Sequence, residues 1–459
     1  MKLSTAAQML DTRVIGDDVT ISGVSTDSRQ LSGGELFVAL HGPHFDGHEY
    51  VNQAESRGAA AAMISRQVVT PLPNIRVTDT ERGLGRLAAS WREGFDIPVI
   101  GITGSNGKTS VKEMIAAILA QRGNSLVTAG NLNNSIGLPL TLLRLRAEHD
   151  YAVVEMGMNH LGEIAYLSGL AKPSIVVVTN AAEAHLEGVG GVDAVAQAKA
   201  EIFGGLAAQG IAVINADDAY AEYWRGVAVP HKVVNFGLDR DADYSAEFVC
   251  GAQGSDIFIS TPKGGVAMRL PVLGKHNVSN AVAATAVAMQ AGADLNDVKV
   301  GLEGLHAVAG RLEVKSGLQG SRILDDTYNA NPASVAAGLD VLRQSDGETV
   351  LVLGDMLELG KSAKAIHGRV GELARRLGVD RLFTVGALSR AAKESFGGVA
   401  KHYKDHKALA KDLQKILHSE MTLLVKGSRG SHMEDVVNGI SEPLVKKVAP
   451  KKRGAKRHY

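Results

Sequence analysis

Apolar and polar residues change rhythm along this chain, and the changes divide it. Residues 1–95 hold short apolar runs at 19–24, 35–40 and 59–64 between polar turns, which predicts a small unit of short strands. From residue 97 onward, continuous apolar runs at 97–102, 151–154, 175–178, 211–214 and 233–236 alternate with helical segments. Strands that are apolar on both faces and separated by helices predict a parallel sheet covered on both sides. Residues 242–272 break that rhythm with alternating strands, as at 256–260, before a helix opens near Asn277. A second α/β series starts near Arg322, with strands at 323–324, 349–353, 381–385 and 422–425. The pattern predicts an α/β protein of three domains: a small N-terminal α/β domain (1–95), a central domain with a parallel sheet (96–308) and a C-terminal Rossmann-like domain (309–459) with a basic tail (446–459).

Composition narrows the functional classes. The 459 residues are 45% hydrophobic and 21% charged, which excludes wholesale disorder. Forty-nine Lys and Arg balance 49 Asp and Glu, so the chain has no global basic field and no nucleic-acid partner is expected. The single cysteine, Cys250, excludes an internal disulfide and Cys/His zinc clusters. Gln8, Asp11 and Arg13 interrupt what would be a secretory apolar region, and the most apolar stretch, 281–293, falls short of the ~20 residues of a spanning helix. A cytoplasmic chain without a membrane span is expected. The tail's cations, among them Lys446, Lys451 and Arg457, could attract RNA or lipid, but a solvated terminus is the plainer reading.

The sharpest chemical signal lies between the strand at 97–102 and the helix that follows: Thr103-Gly104-Ser105-Asn106-Gly107-Lys108-Thr109. Glycines let backbone N–H groups converge on phosphate oxygens, and the helix N-terminus adds positive potential. Lys108 can reach the outer phosphates, and the Thr109 hydroxyl can ligate Mg²⁺. The common phosphate-loop pattern has glycine five positions before Gly107, where this chain has Ile102; what remains is a shorter Thr-Gly-x-Asn-Gly-Lys-Thr form. Glu155 stands at the carboxyl end of the strand at 151–154, where ligands of parallel sheets bind. After the strand at 175–178 comes a loop with Asn180, Glu183 and His185. Val195, Lys199, Ile202 and Leu206 share one helical stripe, so Lys199 interrupts an apolar face. Desolvation there would favour a free, nucleophilic amine, whereas snorkelling or a salt bridge to Glu201 or Glu155 is the structural alternative.

This short loop resembles that of the ATP-dependent Mur ligases of peptidoglycan synthesis and of their relative folylpolyglutamate synthase, and further segments extend the likeness over nearly the whole chain. The resemblance implies an N-terminal UDP-binding domain, a central P-loop ATPase domain and a C-terminal domain that closes over the cleft. It makes His185 a magnesium ligand and catalytic group beside Thr109 and Glu155. It also makes Lys199, within Ala198–Phe203, a carbamylated lysine near a second Mg²⁺. Asn277 could simply cap its helix; in the family this His-Asn-x-x-Asn segment lies by the adenine, with Asn277 and Asn280 in contact. Arg311 is either a hinge salt bridge or, by resemblance, a γ-phosphate contact. Asp325-Asp326-Thr327-Tyr328-Asn329-Ala330-Asn331-Pro332 resembles a family site in which Asp326 or Asp325 holds the nucleotide side while Tyr328, Asn329 and Asn331 line the cleft. Lys426 would meet phosphate or a substrate carboxylate.

Ser25-Thr26-Asp27-Ser28-Arg29 reads as a turn with an Asp–Arg pair; in the family it binds the UDP moiety through Ser25, Asp27, Ser28 and Arg29. The loop at 131–140, with Asn133 and Asn134, resembles the branch that adds D-alanyl-D-alanine, as does Gly354-Asp355-Met356-Leu357-Glu358 after the strand at 349–353. The expected reaction is therefore amide synthesis by a monomer from ATP with two Mg²⁺, UDP-N-acetylmuramoyl-tripeptide and D-alanyl-D-alanine, with no nucleic acid involved. A folylpolyglutamate synthase would lack the N-terminal Ser-Thr-Asp-Ser-Arg unit, and a nucleotide switch would need neither 131–140 nor the polar segment at 325–331.

Overall fold

The computed structural model describes residues 1–184 and 186–443. Its contacts gather into two compact units, one comprising Met1–Val308, Asn331–Ala337 and Leu357–Ala363 and the other the remainder from Ala309 onward.

The first unit holds two principal sheets. At its N-terminus, five short strands lie in the order Val14–Ile15, Asn74–Arg76, Ala61–Ile64, Leu36–Val38 and Val24–Ser25. The strand expected over 19–24 is reduced to Val24–Ser25. Its first half instead follows the chain start, where Leu3 N–H donates to Val19 and Ile21 N–H to Met1. The central sheet is parallel throughout, in the order Lys232–Phe236, Ile211–Asn215, Ile175–Val178, Val99–Thr103, Tyr151–Glu155 and Ser125–Val127. The strand Val99–Thr103 is flanked on one side by the strand ending in Glu155 and on the other by the strand preceding Thr179. That is the point at which strand order reverses, and in open parallel sheets ligands bind at the carboxyl ends of the strands beside such a point.

One apolar core runs from Leu3 to Ala228, so the N-terminal sheet and one face of the central sheet share a single interior. The opposite face is covered by the helix Lys108–Leu119 and by Lys275–Gln290, whose alanines 281, 283, 284, 286 and 288 are all buried. Small side chains let these two helices approach closely, which explains the alanine-rich composition of Lys275–Gln290. Beside them is a three-stranded antiparallel meander, Ser245–Gly251, Gly254–Thr261 and Gly264–Leu270, with the alternation expected of a sheet wet on one side.

In the second unit, Glu313–Ser316 runs antiparallel to Arg322–Asp326; Met421–Lys426, Glu348–Leu353, Arg381–Val385 and Val399–Tyr403 then continue the sheet in parallel. Asp326 and Lys426 are register partners, the last residues of neighbouring strands. This unit has its own apolar core, from Ile323 to Ile440.

Candidate active site

The phosphate turn begins where the buried strand Val99–Thr103 stops and the helix Lys108–Leu119 starts. Gly107 is left-handed at φ 84°, no side chain caps the helix, and a Cβ on Gly107 would stand 2.5 Å from Asn280 Oδ1. A Cβ on Gly104, at φ 151°, would run into the Thr179 hydroxyl. Both positions therefore require glycine for space as well as backbone angle. The neighbouring loop grips the turn: Ser105 N–H donates to Asn180 O and Asn106 N–H to Asn180 Oδ1, each at 2.9 Å. Thr179 Oγ1 in turn donates to Asn106 O at 2.6 Å. Asn331, which folds with the first unit, donates to Asn106 Oδ1 at 2.8 Å. Lys108 curls back so that its ammonium donates to Gly104 O at 2.6 Å. Thr103 is buried, its hydroxyl committed to Met156 O, and Ser105 Oγ exchanges hydrogen bonds with Ala182. Those two hydroxyls shape the turn.

Thr109 Oγ1 donates to Glu155 Oε2 at 3.0 Å, and Asn133 Nδ2 donates to Glu155 Oε1 at 2.8 Å. Three residues singled out from sequence thus form one chain of contacts. Asn134 acts differently, its Oδ1 accepting from Ile136 and Gly137 to start the helix Gly137–Leu142. Among the described residues no group of three or more His, Cys, Asp or Glu converges as a metal site. The hydroxyl–carboxylate pair Thr109–Glu155 nonetheless supplies hard oxygen donors of the kind Mg²⁺ takes alongside phosphates and water. His185 lies outside the described residues.

Val195, Lys199, Ile202 and Leu206 are all buried, although the helix itself spans Val192–Ala200 and gives way to a 3-10 turn. Neither carboxylate proposed as a salt-bridge partner reaches Lys199. Glu201 accepts from the N–H groups of Gly162 and Ala165, and Glu155 is engaged as above. Burial pushes the Lys199 ammonium well below its ordinary pKa, the nearby Lys108 charge pushes it further, and Asp218 opposes both. Asp218 is itself raised by burial, against the N–H groups of Tyr220 and Ala181 that it accepts. The sequence pattern did not single out Asp218 or Lys112. Asp218 carries no periodic signal, whereas Lys112 breaks the apolar stripe of its helix just as Lys199 does.

Helix capping at Asn277 is corrected. The helix starts at Lys275 because Gly274, at φ 88°, makes the turn, and Asn277 sits inside the first turn. Its amide donates to Leu273 O and accepts from Asn280 at 3.1 Å; both asparagines are buried, and Asn280 lies beside Gly107.

At the N-terminal sheet, Asp27 and Arg29 form a two-pronged pair with both contacts at 2.9 Å. The guanidinium hydrogen bonds pull the Asp27 pKa down to about 2. Ser25 Oγ bonds within the turn, Ser28 Oγ donates to Gln53, and the Arg29 side chain stays 76% exposed, able to meet an anion.

In the second unit, Lys426, 2% exposed, donates to Asp326 Oδ2 at 2.5 Å and to Asn329 O at 2.9 Å. Burial lowers the Lys426 pKa although Asp326 supports its charge. Asp325 is held separately by Lys315 and Thr327. The Arg311 guanidinium lies over the Tyr328 ring, 4.1 Å from its centre.

A phosphate turn at the switch point of a parallel sheet, an oxygen pair beside it and a buried, depressed lysine define a class, and comparison with known families supplies its name. Models of the Mur ligase family catalytic domain, the Mur ligase middle domain and the Mur ligase glutamate ligase domain match residues 20–92, 102–288 and 310–429; the chain belongs to the Mur ligase family. Among its relatives is UDP-N-acetylmuramoyl-tripeptide–D-alanyl-D-alanine ligase of Escherichia coli strain K12, 45% identical over 96% of this chain and 98% of that protein. MurF from Acinetobacter baumannii superposes with a TM-score of 0.89 at 36% identity, covering 94% of this chain and 97% of the other. MurF ligase from Thermotoga maritima, solved with ADP, gives 0.82 at 27% identity over 92% and 97%. The three-domain α/β architecture is that of these ligases.

Proposed function

We propose that this chain is the ATP-dependent ligase that adds D-alanyl-D-alanine to UDP-N-acetylmuramoyl-tripeptide, completing the peptidoglycan pentapeptide precursor in the cytoplasm as a monomer. The observation that carries this reading is the contact chain Thr109–Glu155–Asn133, which ties a phosphate turn to the loop at 131–140. The full-length likeness to ligases bearing that name supports it.

A carboxylate resists attack by an amine because oxide is a prohibitive leaving group. The tripeptide carboxylate oxygen first takes the γ-phosphoryl group, and ADP departs. The free amine of D-alanyl-D-alanine then attacks the acyl carbon, a tetrahedral intermediate collapses, phosphate leaves, and the nitrogen loses a proton. Lys108 and the turn amides stabilise charge on the phosphoryl group in flight. Mg²⁺, two ions in this reading, would be held by Thr109, Glu155, His185 and a modified Lys199 and would neutralise the same oxygens. Lys199 suits that modification: its neutral amine forms an N–C bond to CO₂ and releases a proton, so a buried cation becomes a carboxylate-like anion.

The boundaries 1–95, 96–308 and 309–459 go with these roles. Ser25, Asp27, Ser28 and Arg29 take the UDP moiety; Asn277 and Asn280 take the adenine side. Arg311 takes the γ-phosphate and Asp326 the ribose; Tyr328, Asn329 and Asn331 take the peptide substrates. Lys426, opposite Asp326, adds the positive charge that a phosphate or carboxylate needs.

Phosphate release should require ATP, Mg²⁺, UDP-N-acetylmuramoyl-tripeptide and D-alanyl-D-alanine together. Turnover that persists without the dipeptide, or that appears only with tetrahydrofolate and glutamate, would overturn the reading. Stripping CO₂ should lower activity and bicarbonate should restore it; full activity in Lys199→Ala would refute the modification.

A further inference from the structure

Lys112 is a lysine with almost no access to water, 1% exposed, on the same helix as Lys108 and Thr109. Burying an ammonium is costly unless its donors are met, so its partners are informative. Its Nζ donates to Thr128 O at 2.7 Å and lies 3.1 Å from Glu113 Oε1. Thr128 is also buried and follows the edge strand Ser125–Val127. Its hydroxyl accepts the Glu155 N–H at 3.0 Å, and its own N–H donates to Val153 O at 3.1 Å. Thr128 therefore fastens the end of one strand to the residue whose carboxylate meets Thr109 and Asn133.

We propose that Lys112 is a positioning residue: through Thr128 it sets the place of Glu155, and of the chain leading into the loop at 131–140, relative to the phosphate turn. The proposal rests on the reading of Glu155 as a Mg²⁺ ligand. The helix that presents the phosphate-binding residues also carries, one turn further on, the pin that fixes the oxygen donor beside them. Lys112 is shut off from solvent, and its effect passes through a backbone carbonyl and one hydroxyl. An ammonium suits this role because it reaches a carbonyl across the gap between helix and strand while keeping a second donor for Glu113.

The test compares the full-length wild type with Lys112→Met, Thr128→Val and Thr128→Ser. Outer-sphere changes of this kind cost about 10- to 100-fold in metal affinity or activity. Lys112→Met and Thr128→Val should therefore raise the Mg²⁺ concentration for half-maximal ligation by about tenfold or more. Thr128→Ser, which keeps the hydroxyl, should restore the wild-type value. Affinity for a fluorescent ADP in EDTA should be unchanged in all of them, because the turn itself is intact. Hydrogen exchange over 125–135 should quicken in Lys112→Met while that over 275–290 stays the same. An unchanged Mg²⁺ requirement and unchanged exchange in Lys112→Met, with an active wild type, would overturn the positioning role. A loss of metal-free ADP affinity equal to the activity loss would overturn it too, by marking general damage. A wild type that performs no ligation would instead sink the functional reading beneath it.

Discussion

At the scale of single residues, the burial of Lys199 bears on stability. Its folded pKa is depressed, first by burial and then by Lys108, below that of a lysine in the unfolded chain. The unfolded state therefore binds more protons between those two values, and stability must fall as pH is lowered through that window. In CO₂-free buffer Lys199→Met should melt higher than wild type, by up to a few kcal/mol of stability. The gap should widen as pH is lowered from the ordinary lysine range towards the depressed folded value, and ligation should be lost. A calorimetric pH series in which the two curves stay parallel would remove Lys199 as the source. If Lys108 stabilises the phosphoryl group as proposed, Lys108→Ala should cut turnover by at least about 100-fold with the fold retained. The polar residues most legible in the sequence were those that break an apolar pattern, such as Lys199, or follow a buried strand, such as Glu155 and Asp326. Asp218 was not legible, because its relation to Lys199 depends on burial and on backbone N–H groups from two separate segments. Nor did the pattern tell that Asn134 would accept from the Ile136 and Gly137 N–H groups while its neighbour Asn133 reached Glu155.

At the scale of elements, the phosphate turn is fixed by backbone conformation more than by side chains. Gly107 at φ 84° is a left-handed position that costs a residue with a Cβ about 1–2 kcal/mol. The added methyl group would also press on Asn280 Oδ1. Gly107→Ala should therefore weaken metal-free ADP binding as well as ligation, unlike a change at Lys112, and should lower the melting temperature. Equal ADP affinity in the variant and wild type would show that the turn tolerates a different shape. Continuous apolar runs marked the central strands because both faces are buried, and 175–178 matches residue for residue; in the last sheet, 381–385 does so too. The segment at 19–24 has a similar apolar content but partners the chain start, and no local pattern reveals which distant backbone will claim a strand. Likewise Gly274 took over the helix start from Asn277, since a glycine at positive φ can turn the chain without any capping side chain.

At the scale of the whole molecule, three sheets carry the architecture but the apolar interiors divide it differently. One core spans Leu3 to Ala228 and joins the N-terminal sheet to the central one; a separate core, Ile323 to Ile440, serves the last sheet. A domain boundary drawn near residue 95 therefore separates two sheets that share one apolar core. Elements that share buried apolar contacts should unfold together. The chain contains two tryptophans, and both report on the first unit. Trp91 bonds Leu145 O from the helix Thr80–Glu93, and Trp224, fully buried, bonds Ala196 O beside the central sheet. Tryptophan fluorescence should follow a single transition, and Trp91→Phe, which leaves Trp224 as sole reporter, should keep the wild type's relation between fluorescence and stability. Far-UV circular dichroism sees every sheet and should show an additional phase that fluorescence misses. Distinct midpoints for Trp91 and Trp224, each observed with the other replaced by Phe, would separate the first two sheets into independent folding units. Coincidence of all signals in one sharp transition would join the last sheet to them.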